Sequence, residues 1–367
     1  WTKHTWVRLG LAFWGWQILS TVWAYDTTRA LQGGLIWGRF FLFGVALAYW
    51  ILAGDERMQK RLFYLVTFYV CFLGLDALMQ YIIRVDTFGN EMGGGTRLTG
   101  PFNKPIVGTA IVNTLFPVLL YAIHASLTTK WRLFYISICA AAMLAVFLSG
   151  ERSALLLMIL GLVLTVAVSV FQRSLSALKI FLPAVLFIIA GFFIVHKFDT
   201  SMGNFIKDRQ VNSIAETISN FADSPYGLIW QDGLQIIKDH PLLGIGARNI
   251  RTYWCDMGKQ VHFKENCPLH PHNQYLELTA DFGIIGLAMY LTIIGSIFYC
   301  FGRNFALWRR DPIVIGIVIT LIVRFWPLIT QTSYLRSMSA FPLWLMVGWG
   351  MALLENYRRK QDIHANK

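Results

Sequence analysis

Ten stretches of this chain are apolar over lengths close to the roughly 20 residues that a helix needs to cross a bilayer, and nothing else constrains the fold as strongly. They fall at 6–24, 33–53, 62–84, 105–126, 131–148, 153–171, 178–196, 273–301, 312–330 and 338–356. Lipid offers no hydrogen bonds to a backbone, so each stretch predicts a helix that pairs its own amides. The composition agrees, with 56% hydrophobic and 14% charged residues. The expected fold class is an all-α integral membrane protein. Its expected organisation is an N-terminal transmembrane bundle over 1–196, a large external loop over 197–272, and a C-terminal bundle with a tail over 273–367.

Orientation follows from the short loops, because lysine and arginine are retained on the cytoplasmic side. Arg57, Lys60 and Arg61 share one loop, Lys130 and Arg132 another, Arg173 and Lys179 a third, and Arg303, Arg309 and Arg310 a fourth. The tail adds Arg358, Arg359 and Lys360, and the start adds Lys3 and Arg8. Those segments are expected in the cytoplasm, which leaves 85–104, 149–152 and 197–272 outside, in the periplasm of a bacterial inner membrane. The net charge of +12 is then topological and implies no nucleic-acid partner.

The loop 197–272 carries eight basic and eight acidic residues, so it is no polybasic tail. Phe205, Val211, Ile214 and Ile218, then Ile229, Leu234 and Ile237, recur near helical spacing, and Ser224-Pro225-Tyr226-Gly227 interrupts them. Two amphipathic helices lying on the bundle are predicted. Cys71, Cys139 and Cys300 fall inside spans as small packing residues, whereas Cys255 and Cys267 fall in the loop, where a disulfide and free thiols are both open. No cleavable signal opens the chain. It begins at Trp1 without Met, which leaves room for spans upstream.

The outer side is rich in basic residues for a surface that topology keeps free of them: Arg39 within span two, Arg84, Arg97, Lys104, Arg152, and Arg324 within span nine. An arginine in hydrocarbon is costly unless it meets a polar cavity or a partner, so Arg39 and Arg324 are expected to face a wet or anionic interior. A structural pair with Asp76, Glu277 or Asp281, or snorkelling, is the plainer account of any single one. Together, six basic groups near one face fit a shared anion, since a guanidinium stays charged and binds phosphate through a planar fork. Arg152 follows the turn Ser149-Gly150-Glu151 and opens a helix, where the dipole already favours an anion.

Two loop segments, HPLLGIGARN at 240–249 and HPHNQYLELTADFGIIGL at 270–287, gather His240, His270, His272, Arg248 and Arg251 with several glycines. Imidazole takes up a proton near neutral pH, so His272, beside Asn273 at the start of a span, suits a general base, with His270 in support and His240 as a turn residue. The candidate ligands Cys255, Cys267 and His262 show no zinc spacing, and neither Asp-x-Asp nor a GxxxxGK[ST] loop occurs. No cofactor, metal or nucleotide is expected.

The segments RLTGPFNKP, SGERSALL, HPLLGIG and HPHNQYLEL, in that order, resemble the O-antigen ligase and polymerase family of multi-pass envelope glycosyltransferases. That resemblance implies a GT-C-like helical bundle acting without metal at the periplasmic face. It implies an undecaprenyl-diphosphate-linked O-antigen donor and, for the ligase branch, a lipid A-core acceptor, with membrane lipids around it. By motif, His272 and Arg152 correspond to the family's essential histidine and arginine. Arg39, Arg97, Lys104, Arg248, Arg251, Arg324 and Asn273 are the remaining expected donor contacts. Where relatives carry an arginine before the HPLxGxG turn, this chain has Tyr226-Gly227, leaving Arg209, Arg248 or Arg251 to supply that charge. Polymerase and protein-glycosylating branches remain open, as does a transporter, in which buried arginines would line a path without bond formation.

Overall fold

The computed structural model describes residues 1–172, 197, 200–257, 262 and 267–365. Those residues are overwhelmingly helical, and their extended pairing is limited to two isolated antiparallel bridges, Val85 with Glu91 and Gly93 with Arg97. In chain order the helices are α1 Thr5–Leu19, α2 Thr27–Ala46, α3 Glu56–Ile83, α4 Val107–His124, α5 Thr129–Leu148, α6 Arg152–Phe171, α7 Thr200–Ile206, α8 Ser213–Ser219, α9 Pro225–Asp239, α10 Ile250–Met257, α11 Gln274–Arg303, α12 Pro312–Arg324 and α13 Ser337–Ala365.

Seven of the described helices are long and apolar enough to cross a membrane: α2 with the π-helical turn that extends it to Ile51, α3, α4, α5, α6, α11 and α13. The protein is an all-α, multi-span membrane protein. Two expected spans are shorter than predicted. The stretch at 6–24 is the 15-residue α1, which tightens into a 3₁₀ turn at Ser20–Val22, and the stretch at 312–330 is the 13-residue α12. Pro327 accounts for the second, because a proline drives the residue before it out of helical geometry. Arg324 therefore sits in the last turn of a short helix. The expected span at 178–196, with Arg173 and Lys179, lies outside the described residues.

Helix starts follow local rules. Asp26, Asp55, Asn273 and Asp311 each cap the helix that follows through side-chain oxygens accepting backbone N–H bonds. Ser224 does the same for α9, with Pro225 in the first turn, so the predicted break at 224–227 is a helix start.

The chain forms two compact units that cut across the linear order. Unit I comprises Trp1–Gly54, Ser219–Leu307 and Pro327–Lys367, and unit II comprises Asp55–Ile218 and Trp308–Trp326. In unit I, α1 packs on α11 and α2, and α13 packs on α2. Aromatic rings fill the seam: Phe13, Trp37, Phe41 and Trp344 stack or meet edge to face at centroid distances of 5.1–5.6 Å, pairs worth about 0.5–1.5 kcal/mol each beyond the area they bury. A smaller core under the loop joins Ile229, Ile236, Ile245, Ile250, Trp254, Cys267 and Ala280. Cys255 and Cys267 are disulfide-bonded, with Cα atoms 5.8 Å apart. In unit II, α4 packs against α12, α5, α3 and α6.

Candidate active site

The two loop segments singled out by sequence meet inside unit I. Helix α11 is broken at Gly283, whose φ of 65° leaves helical geometry. A broken helix at membrane depth must pair its freed backbone groups elsewhere. Here the HPLLGIG turn pairs them: Ile284 N–H donates to Pro241 O at 2.8 Å, Ile245 N–H to Ala280 O at 3.0 Å, and Gly246 N–H to Asp281 O at 2.8 Å. The fit leaves no room for side chains. A Cβ on Gly283 would lie 2.0 Å from Leu242 O, and one on Gly244 would lie 2.4 Å from the Asp281 carbonyl carbon. Both have positive φ, which only glycine adopts without strain. The turn is thus a socket for the kink.

Around that junction unit I encloses a cavity of about 570 Å³. Four arginines line it: Arg29, Arg248, Arg251 and Arg336, together with His270, Asp256 and Glu277. Arg248 donates to Gln32 Oε1 at 2.8 Å, and Arg29 lies 3.4 Å from Asp26. In the wall Glu277 accepts from Ser333 Oγ at 2.5 Å, and behind it Asp281 accepts from the Tyr334 hydroxyl at 2.8 Å, both carboxylates being buried. Arginine donors therefore face a hollow beside buried acids, a setting in which an anion finds bidentate partners at reduced screening.

The histidines are arranged in series. His270 is buried, and its Nδ1 accepts the His272 backbone N–H at 3.1 Å, which assigns the proton of its neutral ring to Nε2. Burial, with His272 and Arg336 nearby, pulls the His270 pKa down to about 3. His272 adopts a left-handed φ of 54°, its carbonyl accepts Gln331 N–H at 2.7 Å, and its ring lies 4.3 Å from that of His270 and edge-on to Tyr226 at 5.6 Å. Burial and the Arg336 charge lower its pKa as well, so its imidazole is neutral at physiological pH. It is half-buried.

The other expected residues divide between the units. In unit I, Arg248 and Arg251 line the cavity. Asn273 is buried with its amide committed to structure: Oδ1 caps α11 at Tyr275 and Leu276 N–H, and Nδ2 donates to Pro327 O at 2.8 Å. That role positions His272 and leaves little of the amide for a ligand. Arg39 is exposed, with its guanidinium 4.6 Å over the Phe40 ring and one N–H reaching Ser337 Oγ at 3.4 Å.

In unit II, Arg152 opens α6 and donates to Ser213 Oγ at 2.5 Å and Thr217 Oγ1 at 3.1 Å. Its neighbour Glu151 reaches across to the start of α4, accepting Gly108 N–H at 2.6 Å and Thr109 N–H at 3.1 Å. Arg97 lies in a loop tied down by Gln80, which bonds Thr99 and Gly100 N–H through Oε1 and Thr99 Oγ1 through Nε2. Lys104 is exposed, and Arg324 is buried. Asp76 accepts both N–H and hydroxyl of Thr87.

Arg336 and Arg29 are cavity residues that sequence reasoning missed. Arg336 lies in the 12-residue link between α12 and α13, of which the first half fell inside the expected span at 312–330 and the second half, with Arg336, was left between spans. The proline and polar cluster after Trp326 was the available signal.

Residues 135–291 match the family model described as O-antigen ligase. Over that segment the chain is similar to the O-antigen ligase family. The segment contains Arg152, Arg248, Arg251, His270, His272 and the Gly283 kink, and so holds both halves of the turn and socket. The chain is also 24% identical over 106 residues to the exopolysaccharide production protein ExoQ of Rhizobium meliloti (strain 1021). That similarity spans 26% of this chain and 24% of that protein.

Proposed function

We propose that this chain joins an O-antigen polysaccharide, carried on undecaprenyl diphosphate, to lipid A-core at the periplasmic face of the inner membrane. The observation that carries this reading is the four-arginine cavity of unit I, which adjoins His270 and takes Arg248, Arg251 and His270 from the segment that matches the family.

The acceptor hydroxyl attacks the anomeric carbon and gives its proton to the neutral His272 ring. The bond from that carbon to the diphosphate oxygen breaks, and the diphosphate departs with the electron pair. A single displacement inverts the carbon. Arg248, Arg251 and Arg336 hold the diphosphate, and Arg152 takes its part from the resemblance of its turn. Because a diphosphate already leaves readily, positioning and charge stabilisation supply the catalysis. The site as proposed has no metal or cofactor. His270 acts through the His272 backbone, presenting the ring at one angle.

Purified protein given lipid-linked donor and core acceptor tests this. His272→Ala abolishes transfer with the protein still folded, and excess chelator leaves turnover intact. Retained turnover in His272→Ala ends the assignment.

The similarity to a protein named for exopolysaccharide production favours a second reading, in which the acceptor is another lipid-linked repeat. Supplying core acceptor and lipid-linked repeat separately to the same preparation distinguishes them by product length.

A further inference from the structure

A second cavity, of about 520 Å³, lies within unit II, far in character from the first. Its walls are Tyr64, Phe68 and Cys71 of α3, and Trp131, Phe134 and Ile138 of α5, closed at the back by Tyr121 of α4. Several of these are open to the surroundings: Phe68 is 66% exposed and Trp131 54%. Thr67, on the floor, spends its hydroxyl on Phe63 O at 2.9 Å. The groove is therefore apolar, aromatic and roughly 10 Å long, the rise of the seven residues from Tyr64 to Cys71 or from Trp131 to Ile138.

One end of this groove is charged. Lys60 and Arg61 stand one helical turn before Tyr64 on α3, and Lys130 stands one turn before Phe134 on α5. All three are exposed, and Arg57 and Arg132 lie close by in sequence. Arg132 donates to Ala125 O at 3.3 Å, while its Nε is buried with no partner among the described residues. The nearby acids are Asp55, whose carboxylate caps α3 through Arg57 and Met58 N–H, and Glu56. No acidic residue occurs in the 125–132 connection. An apolar channel ending in lysine and arginine matches one molecule in the surroundings of a membrane protein: a lipid with a negatively charged head group.

We propose that this groove binds an anionic phospholipid, one acyl chain lying along the aromatic walls and the phosphate resting on Lys60, Arg61 and Lys130. The lipid comes from the leaflet on the side that the lysine and arginine pattern assigns to the cytoplasm. It is bound independently of the proposed transfer reaction. Its place is to hold α3 against α5 where two exposed aromatic walls would otherwise splay.

Native mass spectrometry of the full chain in detergent, titrated with phosphatidylglycerol or phosphatidylcholine, tests this. One phosphatidylglycerol is expected to stay bound through desolvation, in preference to phosphatidylcholine by about fivefold for each basic contact. The triple variant Lys60→Gln, Arg61→Gln, Lys130→Gln loses that preference, and Ile138→Trp, which fills the groove, loses retention of the lipid altogether. Arg336→Gln, in the other unit, changes neither. Equal retention of the two lipids, or phosphatidylglycerol still retained in both groove variants, overturns the proposal. Displacement of phosphatidylglycerol by a polyprenyl phosphate at equal concentration also overturns it, and assigns the groove to an isoprenoid tail.

Discussion

The arginines of the two units are used differently. In unit II, Arg152 is enclosed by Ser213 and Thr217 while its neighbour Glu151 caps α4, so the charged turn Ser149–Arg152 is woven into the packing of its helices. In unit I, Arg251 and Arg336 face a cavity, and neither guanidinium makes a side-chain hydrogen bond or ion pair among the described residues. A guanidinium held by hydroxyls contributes to the fold, whereas one held open over a hollow contributes chiefly to whatever enters. The same residue type is thus bound into the packing in one unit and, in the proposed function, turned toward a ligand in the other.

The strongest way to break that contrast is to collapse the socket on which the unit I cavity rests. Gly283→Val meets both a positive φ and a backbone oxygen 2.0 Å from its Cβ, and is expected to destabilise by more than about 3 kcal/mol. Gly295→Ala on the same helix meets nothing within 4 Å and stays within about 1 kcal/mol of the parent, on the stabilising side. Thermal unfolding in detergent compares them, and equal behaviour would sink the turn-and-kink account.

Next in size is the disulfide. It ties α10, which carries Arg251, to the strand of chain entering His270. Cys255→Ser with Cys267→Ser is expected to lower stability by about 3 kcal/mol, the loop-closure value for a loop of this length. Because Cys255 also lines the cavity, transfer falls along with the melting temperature.

The arginines themselves sharpen the comparison. Arg336→Gln is expected to reduce transfer by about 10- to 100-fold, the loss of one charge-assisted contact to the donor, with stability changed by less than about 0.5 kcal/mol. Arg152→Gln reduces both transfer and stability, the latter by about 1–2 kcal/mol through the lost bonds to Ser213 and Thr217. Matching stability losses in the two variants would remove the distinction between the units.

The smallest effect is that of pH. His270 stays neutral in the folded protein down to about pH 3, whereas an unfolded histidine takes up its proton near 6.5. The unfolded chain therefore binds more protons below 6.5, and stability, complete above that pH, declines as pH falls, by about 1.4 kcal/mol for the first full unit below it. His270→Gln flattens this limb in urea unfolding followed at several pH values. Activity follows the His272 ring, whose lowered pKa keeps the base neutral, so the acid limb of kcat/KM falls below the ordinary histidine range.

Much of this was legible in the chain itself. Runs of apolar residues identify spans because length and hydropathy are the only requirements lipid imposes, and seven of the expected stretches match membrane-length helices. The break at Ser224 was readable because a cap is a local interaction between a side chain and the next turn, whereas the helix start at Asp55 was missed and Arg57, Lys60 and Arg61 were left in a loop. Local rules failed at the ends of α1 and α12, where hydropathy ran on past a 3₁₀ turn and toward Pro327 and so placed Arg324 inside a helix that in fact ends there.

By itself, then, the sequence determined that the chain is helical, membrane-embedded and furnished with two glycine-rich histidine motifs, because periodicity and composition act within a turn or two of each residue. Only the tertiary structure decided that those motifs are partners, one supplying the hydrogen bonds that a break at Gly283 leaves open. It alone brought Arg336 from a link after α12 beside Arg251 and His270, and turned Asn273 from an expected ligand into a cap. Such facts depend on which backbone groups and charges meet across long stretches of chain, and a period of 3.6 residues carries no record of them.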